Sequence, residues 1–107
     1  MEERLNKIAQ ILDERKAENI DTVILTGKNY IVDGVVIATA LNNKHSISLI
    51  DHLKTSLKPL GEEFIRIEED GDWSIIDMGD VLIHIMTESH REKYNIEEFL
   101  EEFKKSK

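Results

Sequence analysis

The stretch Val35-Val36-Ile37-Ala38-Thr39 decides the fold, because it is almost entirely apolar and rich in β-branched residues. Such a run predicts a strand that lies in the centre of a sheet and is buried on both faces, within a segment that starts at Tyr30. A strand of this kind needs neighbouring strands and helices packed on the sheet. We therefore expect an α/β domain built around these residues.

The residues before this strand predict a helix and a first strand. Apolar residues recur at helical spacing between Leu5 and Ala17, which indicates an amphipathic helix that ends near Glu18-Asn19. The β-branched run Thr22–Thr26 is closed by Gly27-Lys28-Asn29, a pattern typical of a strand followed by a turn.

A second helix is expected after the central strand. Asn42 or Asn43 can cap its start, and Pro59 and Gly61 end it. Its inward stripe is predicted to consist of four apolar residues at helical spacing: Ile47, Ile50, Leu53 and Leu57. This helix would connect the second and third strands, with a right-handed crossover if those strands are parallel.

Three further strands and a last helix complete the chain. The strands are predicted at residues 64–68, 73–77 and 81–86, joined by the turns Glu69–Asp72 and Met78–Asp80. The last helix is expected to start at Asn95 as its N-cap. Its predicted apolar face comprises Ile96, Phe99, Leu100 and Phe103. The order is α-β-β-α-β-β-β-α, with one mixed sheet of about five strands in a single domain, residues 1–107.

The charge of the chain is concentrated in its second part. The 107 residues carry 14 basic and 22 acidic side chains, a formal charge of −8, and residues 1–60 are neutral on balance. Between Glu62 and Asp80 there are eight acids and one base, Arg66. Such a segment repels phosphate backbones and attracts a basic protein surface. The alternative is that these acids only keep the chain soluble.

Several classes of protein are excluded by composition. The chain has no cysteine, so it has no disulfide and no thiolate nucleophile. No apolar run approaches the ~18 residues of a membrane span. Acids follow Met1 where an export signal would carry bases, so we expect a cytoplasmic protein.

The sequence lacks a complete catalytic constellation. It has no glycine-rich phosphate loop, and no metal-binding pattern joins its histidines, although His45 and His52 fall on one helix face. Asp77 and Asp80 flank a tight turn; they are explained either as turn formers or, less simply, as a pair that converges on a cation. We expect no catalytic residue, no cofactor and no metal site.

Trp73 and Met78 are the two side chains that suggest a contact surface. Trp73 is the single tryptophan and opens a strand, so it is either a core residue or an interface residue. Alternation places Trp73, Ile75 and Asp77 on one face of that strand. Met78 is predicted at the tip of a turn, where an exposed apolar side chain would indicate a partner.

The segment Asp72–Met86, DWSIIDMGDVLIHIM, resembles the signature of the ribosomal silencing factors, also called the Iojap family. Weaker similarity in Asn29–Thr39, Lys44-His45 and Glu88–Tyr94 extends the resemblance from Leu5 to Leu100. The chain departs from the family pattern at Thr39–Asn43, where a flexible glycine is lost before the second helix, and at Lys44, where the family has arginine.

The resemblance implies a fold related to nucleotidyltransferases and a role without catalysis. It implies binding to large-subunit ribosomal protein fourteen, which blocks joining of the small subunit and represses translation, as in nutrient starvation. The implied ribosome-facing residues are Trp73, Asp77, Met78, Gly79 and Asp80; His84 and Tyr94 also match the family pattern. Two alternatives stay open, a large-subunit assembly factor and a nucleotidyltransferase-like enzyme that uses Asp77 and Asp80. A homodimer is left open as well.

Overall fold

The computed structural model describes residues 1–28, 30–96, 98, 100 and 101. Its elements are α1 (Glu2–Glu14), β1 (Glu18–Ile24), β2 (Gly34–Ala40), α2 (Asn43–Leu57), β3 (Arg66–Glu68), β4 (Trp73–Asp77), β5 (Val81–Thr87) and α3 (Glu88–Tyr94). The elements follow the predicted order α-β-β-α-β-β-β-α, although the helix that directly follows β5 is α3 and not the helix predicted from Asn95 onwards. No helix in the described part of the chain is long and apolar enough to cross a membrane.

The five strands form one mixed sheet in the order β1-β2-β5-β4-β3, which confirms the predicted architecture. The central pair, β2 and β5, is parallel, and the other three pairs are antiparallel. Helix α2 therefore leads from the centre of the sheet to its far edge. The strands it connects, β2 and β3, run in the same direction but are separated by β5 and β4.

Strand β2 organises the core, as its sequence predicts, because all seven of its residues are buried. Val36 and Ala38 face a layer that is formed with α1 and α2. Val35 and Ile37 face the opposite layer, where Leu25 and Met86 are also buried. Alternate side chains of one strand thus supply both layers of the core.

The boundary between α1 and β1 lies earlier than predicted. Helix α1 ends at Glu14, and Lys16 then adopts a positive φ of 69°. Strand β1 begins at Glu18 because backbone pairing with β2, and not side-chain hydrophobicity, defines it. Strand β1 lies at the edge of the sheet and its first residues are polar and mostly exposed, so hydrophobicity predicted the strand but not its start.

Helix α2 begins and ends as predicted, and three residues of its predicted stripe, Ile50, Leu53 and Leu57, are buried. The Asn42 side chain accepts a hydrogen bond from the His45 backbone N–H at 2.9 Å and caps the helix. Ile47, expected inside, is exposed, and Leu49 is buried in its place. The buried face also includes Ser46, whose hydroxyl donates to Ser74 Oγ at 3.3 Å.

The prediction for the last helix was wrong about Asn95. A helix, α3, already spans Glu88–Tyr94, and Asn95 ends it with a φ of 24°. The chain is helical again at the described residues that follow, where Leu100 is buried as expected. Phe99 and Phe103, assigned to the same apolar face, lie outside the described residues. The sequence analysis did not predict α3, because this helix has no stripe of aliphatic residues. It packs through polar and aromatic side chains.

Candidate functional site

Strand β4 presents one face to the core and one face outwards, as alternation predicts. Ser74, Ile76 and Met78 are buried, whereas Trp73 and the side chains that share its face are half-buried. Arg66 and Glu68 of β3 and Leu82 of β5 pair with Asp77 and Ile75 of β4 and lie on this same side. We call the set Arg66, Glu68, Ile75, Asp77 and Leu82 the open face, because each is exposed or half-buried in the described part of the chain.

Trp73 lies at the end of the open face, inside an aromatic cluster with His84, His90 and Tyr94. Its ring centroid is 5.8 Å from that of His84, 5.1 Å from that of His90 and 5.7 Å from that of Tyr94. Trp73 Nε1 donates a hydrogen bond to His84 Nδ1 at 3.0 Å. The indole is therefore half-buried: it is not a core residue, and the prediction that it is an interface residue stays a prediction.

His84 is held in its neutral form by burial. Its side chain is only 8% exposed, and this desolvation lowers its pKa to about 4. Since an indole N–H can only donate, Nδ1 must be the unprotonated nitrogen of the ring. His84 thus acts as a fixed acceptor beneath Trp73.

The turn between β4 and β5 is closed by Asp77 and Gly79. Asp77 Oδ1 accepts a hydrogen bond from the Gly79 backbone N–H at 2.8 Å, which is the behaviour of a turn former. Gly79 has a φ of 92°, a conformation that other residues rarely adopt. A Cβ at this position would also meet Ile65 Cδ1 at 3.0 Å.

Met78 does not lie where the sequence analysis placed it. Its side chain is 7% exposed and belongs to the core layer beneath α1 and α2. The expectation of an exposed, adaptable methionine at the turn tip is therefore wrong. The backbone of this turn is tied inwards, since Met78 N–H donates to Val81 O at 2.9 Å, and the side chain follows it into the core.

Asp80 is held by an arginine that sequence analysis did not associate with it. Arg4 of α1 donates to both carboxylate oxygens of Asp80, at 2.6 and 3.2 Å, and to both of Glu62, each at 2.9 Å. The hydrogen bond from Arg4 lowers the pKa of Asp80, and these partners raise the pKa of Arg4. Glu62 lies 58 positions and Asp80 lies 76 positions after Arg4 in the chain, so no local pattern connects them with it.

A second arginine secures α3 against the sheet. Arg91 is 8% exposed and donates to Thr39 Oγ1 at 2.9 Å, to Asp21 Oδ2 at 2.6 Å and to the Asn19 backbone oxygen. These contacts join α3 to β1 and β2, and they fix the helix that carries His90 and Tyr94. The residues that Arg91 contacts are distant in the chain, so no local sequence pattern predicts α3.

The histidines of α2 serve the packing of helices. His45 contacts the Arg15 backbone oxygen at 2.7 Å through Nε2 and accepts from the Leu41 N–H at 2.9 Å through Nδ1. His52 contacts Glu14 at 3.0 Å. Among the described residues, no three histidine or carboxylate side chains come together in a group able to hold a metal ion.

Comparison with known proteins places this geometry in a family. The family model "Ribosomal silencing factor during starvation" matches residues 1–107. The ribosomal silencing factor of Haemophilus influenzae is 30% identical over 92 residues, which are 84% of this chain and 90% of that protein. A mouse protein named "Mitochondrial assembly of ribosomal large subunit protein 1" is 24% identical over 98 residues, 87% of this chain and 43% of the mouse protein.

Solved structures agree with the sequence comparison. A crystal structure of a protein from Chromobacterium violaceum superposes with a TM-score of 0.83 at 26% identity, covering 92% of this chain and 84% of that one. The family match includes β4, its turn and β5, and the structural match covers nearly the whole molecule. The chain therefore belongs to the ribosomal silencing factor family.

Proposed function

We propose that this protein binds the large ribosomal subunit through large-subunit ribosomal protein fourteen and sterically blocks joining of the small subunit. Translation would thereby be repressed, as in nutrient starvation, in the cytoplasm. The observation that carries this proposal is the family match over residues 1–107, together with the relative from Haemophilus influenzae named as a silencing factor. The mechanism requires occupation of a surface and no chemical step.

The open face and the turn beside it supply a surface suited to that role. Ile75 and Leu82 offer apolar area, and Trp73 lies at one end with an aromatic ring of the kind enriched at interface hot spots. Two acids of the segment Glu62–Asp80, Glu68 and Asp77, lie on the open face itself and favour a basic partner. We assign Trp73, Asp77 and Gly79 to the contact, with Asp80 at its border and Met78 as buried support.

An enzymatic role for Asp77 and Asp80 has less support. Both oxygens of Asp80 are bonded to Arg4, and one oxygen of Asp77 is bonded to the turn backbone. A pair of carboxylates that binds a cation needs free oxygens directed at one point. These two side chains instead close a turn and bind an arginine, so we propose that the protein is not an enzyme.

A role in large-subunit assembly is the second candidate, favoured by the name of the mouse relative. The same docking surface would serve both roles, because each requires recognition of the large subunit. Sucrose-gradient profiles of a deletion strain separate them. Accumulation of immature large subunits supports assembly, whereas normal subunits that join excessively during starvation support silencing.

The proposed function is tested by mixing purified subunits with the protein and following their association by light scattering. We expect the protein to inhibit association in the absence of added nucleotide, at the magnesium concentration that the subunits alone require. Inhibition that depends on ATP or GTP would contradict an occlusion mechanism.

A further inference from the structure

The one hydrogen-bond donor of the Trp73 indole is bonded to another residue of the protein. The N–H group at Nε1 donates to His84 Nδ1 at 3.0 Å, and an indole has no second donor. His84 itself comes from the neighbouring strand β5, directly beside the open face, and its side chain is 8% exposed. The hydrogen bond is therefore partly buried, with its acceptor away from water, and it sets the rotation of the ring.

Helix α3 holds the same ring from another direction. His90 and Tyr94 contact the indole with centroid distances of 5.1 and 5.7 Å, and they contact one another at 4.5 Å. Tyr94 is 48% exposed and forms the rim of the cluster, with Lys93 Nζ 5.4 Å from its ring centroid. The indole is thus clamped between β5 and α3 while one part of it stays at the surface.

We propose that His84 is a positioning residue for partner binding, and that it fixes Trp73 so that the partner meets the face and edge of the ring and not its N–H group. The inference rests on the proposed function, because it assigns Trp73 to the ribosome contact. The partner group that fits is a side chain that packs on an aromatic ring, either apolar or cationic, without accepting a hydrogen bond from it. A basic ribosomal protein offers such groups.

The chemistry of His84 suits this task. A neutral imidazole accepts at Nδ1 only when its proton is on Nε2, and burial keeps the ring neutral at physiological pH. An aliphatic residue of similar size would fill the space and leave the indole without an acceptor. The ring would then turn its N–H towards water or towards the partner.

The first test is carried out on the free protein and uses the single tryptophan as its probe. We compare acrylamide quenching and the emission maximum of the wild type with those of His84→Leu and His84→Asn. Asn places an amide oxygen near the Nδ1 position, so it should restore the wild-type signal, whereas Leu should increase quenching and shift the emission to the red. Ile83→Val, on the opposite face of β5, is the control for a core change and should leave both readouts unchanged.

Identical quenching and emission in the wild type and His84→Leu would overturn the positioning role. This outcome is independent of ribosome binding, so it is distinguishable from failure of the proposed function. If the wild type itself did not bind large subunits, the proposed function would fail, and the fluorescence comparison would still decide whether His84 fixes the ring.

The second test is a double-mutant cycle on binding to purified large subunits. We expect His84→Leu and Trp73→Phe each to weaken binding by roughly tenfold, the usual order for one hydrogen bond that organises a contact. The double variant should bind no more weakly than Trp73→Phe alone, and His84→Asn should remain within roughly threefold of the wild type. Losses that multiply in the double variant would show that the two residues act independently and would overturn the inference.

A further variant keeps the proposal testable if His84→Leu does not fold. His84→Gln retains a polar amide but moves its oxygen one methylene beyond the Nδ1 position. We expect it to reproduce the loss of binding and the increased quenching. Wild-type behaviour of His84→Gln in both measurements would contradict a role that depends on the position of the acceptor.

Discussion

Single side chains around the β4–β5 turn have separable tasks. Met78 is buried beneath the helices, Trp73 is clamped in an aromatic cluster, and His84 accepts the bond that holds it. A change of Met78 should mainly affect stability, whereas a change of Trp73 or His84 should affect binding. Substitutions at these positions therefore distinguish support of the turn from contact with a partner.

Met78→Ala is expected to destabilise the fold by about 2–4 kcal/mol, because it leaves a cavity in a packed core. Ile65→Ala is the matched control, since Ile65 adjoins the same turn but is 67% exposed; its effect should stay within about 0.5 kcal/mol. Urea denaturation followed by far-ultraviolet circular dichroism measures both. An unchanged midpoint for Met78→Ala would mean that the side chain does not support the core.

Burial of His84 predicts a loss of stability in acid. The unfolded chain binds a proton at His84 below its ordinary pKa of 6.5, whereas the folded protein does so only near pH 4. Stability should therefore fall as the pH drops from 6.5 to 4, by about 3 kcal/mol from this group, and the group should cost nothing more below that.

Variants separate this effect from that of the carboxylates. His84→Leu should flatten the stability profile between pH 6.5 and 4. Asp80→Asn should leave that window unchanged, because Arg4 lowers the pKa of Asp80 and its stabilisation is lost only in stronger acid. A profile of His84→Leu as steep as the wild type would contradict the assignment of a buried neutral histidine.

At the scale of elements, long-range polar contacts fix the positions of the turn and of α3. Arg4 links α1 to Glu62 before β3 and to Asp80 at the β4–β5 turn. Arg91 links α3 to β1 and β2. Both arginines connect segments that are adjacent in space and distant in the chain.

Arg4→Ala is expected to loosen the turn more than the fold. The pairs are partly exposed, so the loss of stability should be about 1 kcal/mol. Hydrogen exchange of the Met78 and Gly79 amides, which are bonded within the turn, should accelerate, and binding to large subunits should weaken. Lys7→Ala removes the same charge from an exposed position of α1 and should change none of these. Equal effects of the two substitutions would indicate a general effect of charge.

The elements that sequence predicted well are those defined by hydrophobicity. Strand β2 is buried along its length, and β4 has the predicted bounds, Trp73–Asp77, because alternation and apolar runs report directly on burial. The start of β1 and the whole of α3 were missed because backbone pairing and a buried arginine define them.

The candidate site was predicted by resemblance more than by pattern. Trp73 and Asp77 lie on one face as alternation requires, but the burial of Met78 and the partner of Asp80 depend on contacts between distant segments. Met78 was predicted to be exposed because residues at the tip of a turn usually face solvent, an expectation that considers only the local sequence. The tertiary packing of this turn overrides that rule.

For the whole molecule, charge asymmetry should control the rate of encounter with a basic partner. Glu63→Gln with Glu69→Gln neutralises two exposed acids of the acidic segment. We expect slower association with isolated ribosomal protein fourteen and a weaker dependence on salt, with little change in dissociation. Kinetics on an immobilised partner across a salt series measures this.

The matched control changes net charge equally on the neutral half of the chain. Asp13→Asn with Asp51→Asn also removes two exposed acids, and it should leave the association rate close to that of the wild type. Equal slowing by the two pairs would mean that total charge, and not its placement, steers the encounter.

We propose that this protein and the small subunit compete for one face of the large subunit. Co-sedimentation with isolated large subunits, repeated with increasing amounts of small subunits, tests it most directly. We predict that the protein sediments with the large subunit and is released as the small subunit is added in excess, without nucleotide. Protein that stays bound to fully joined ribosomes would contradict occlusion.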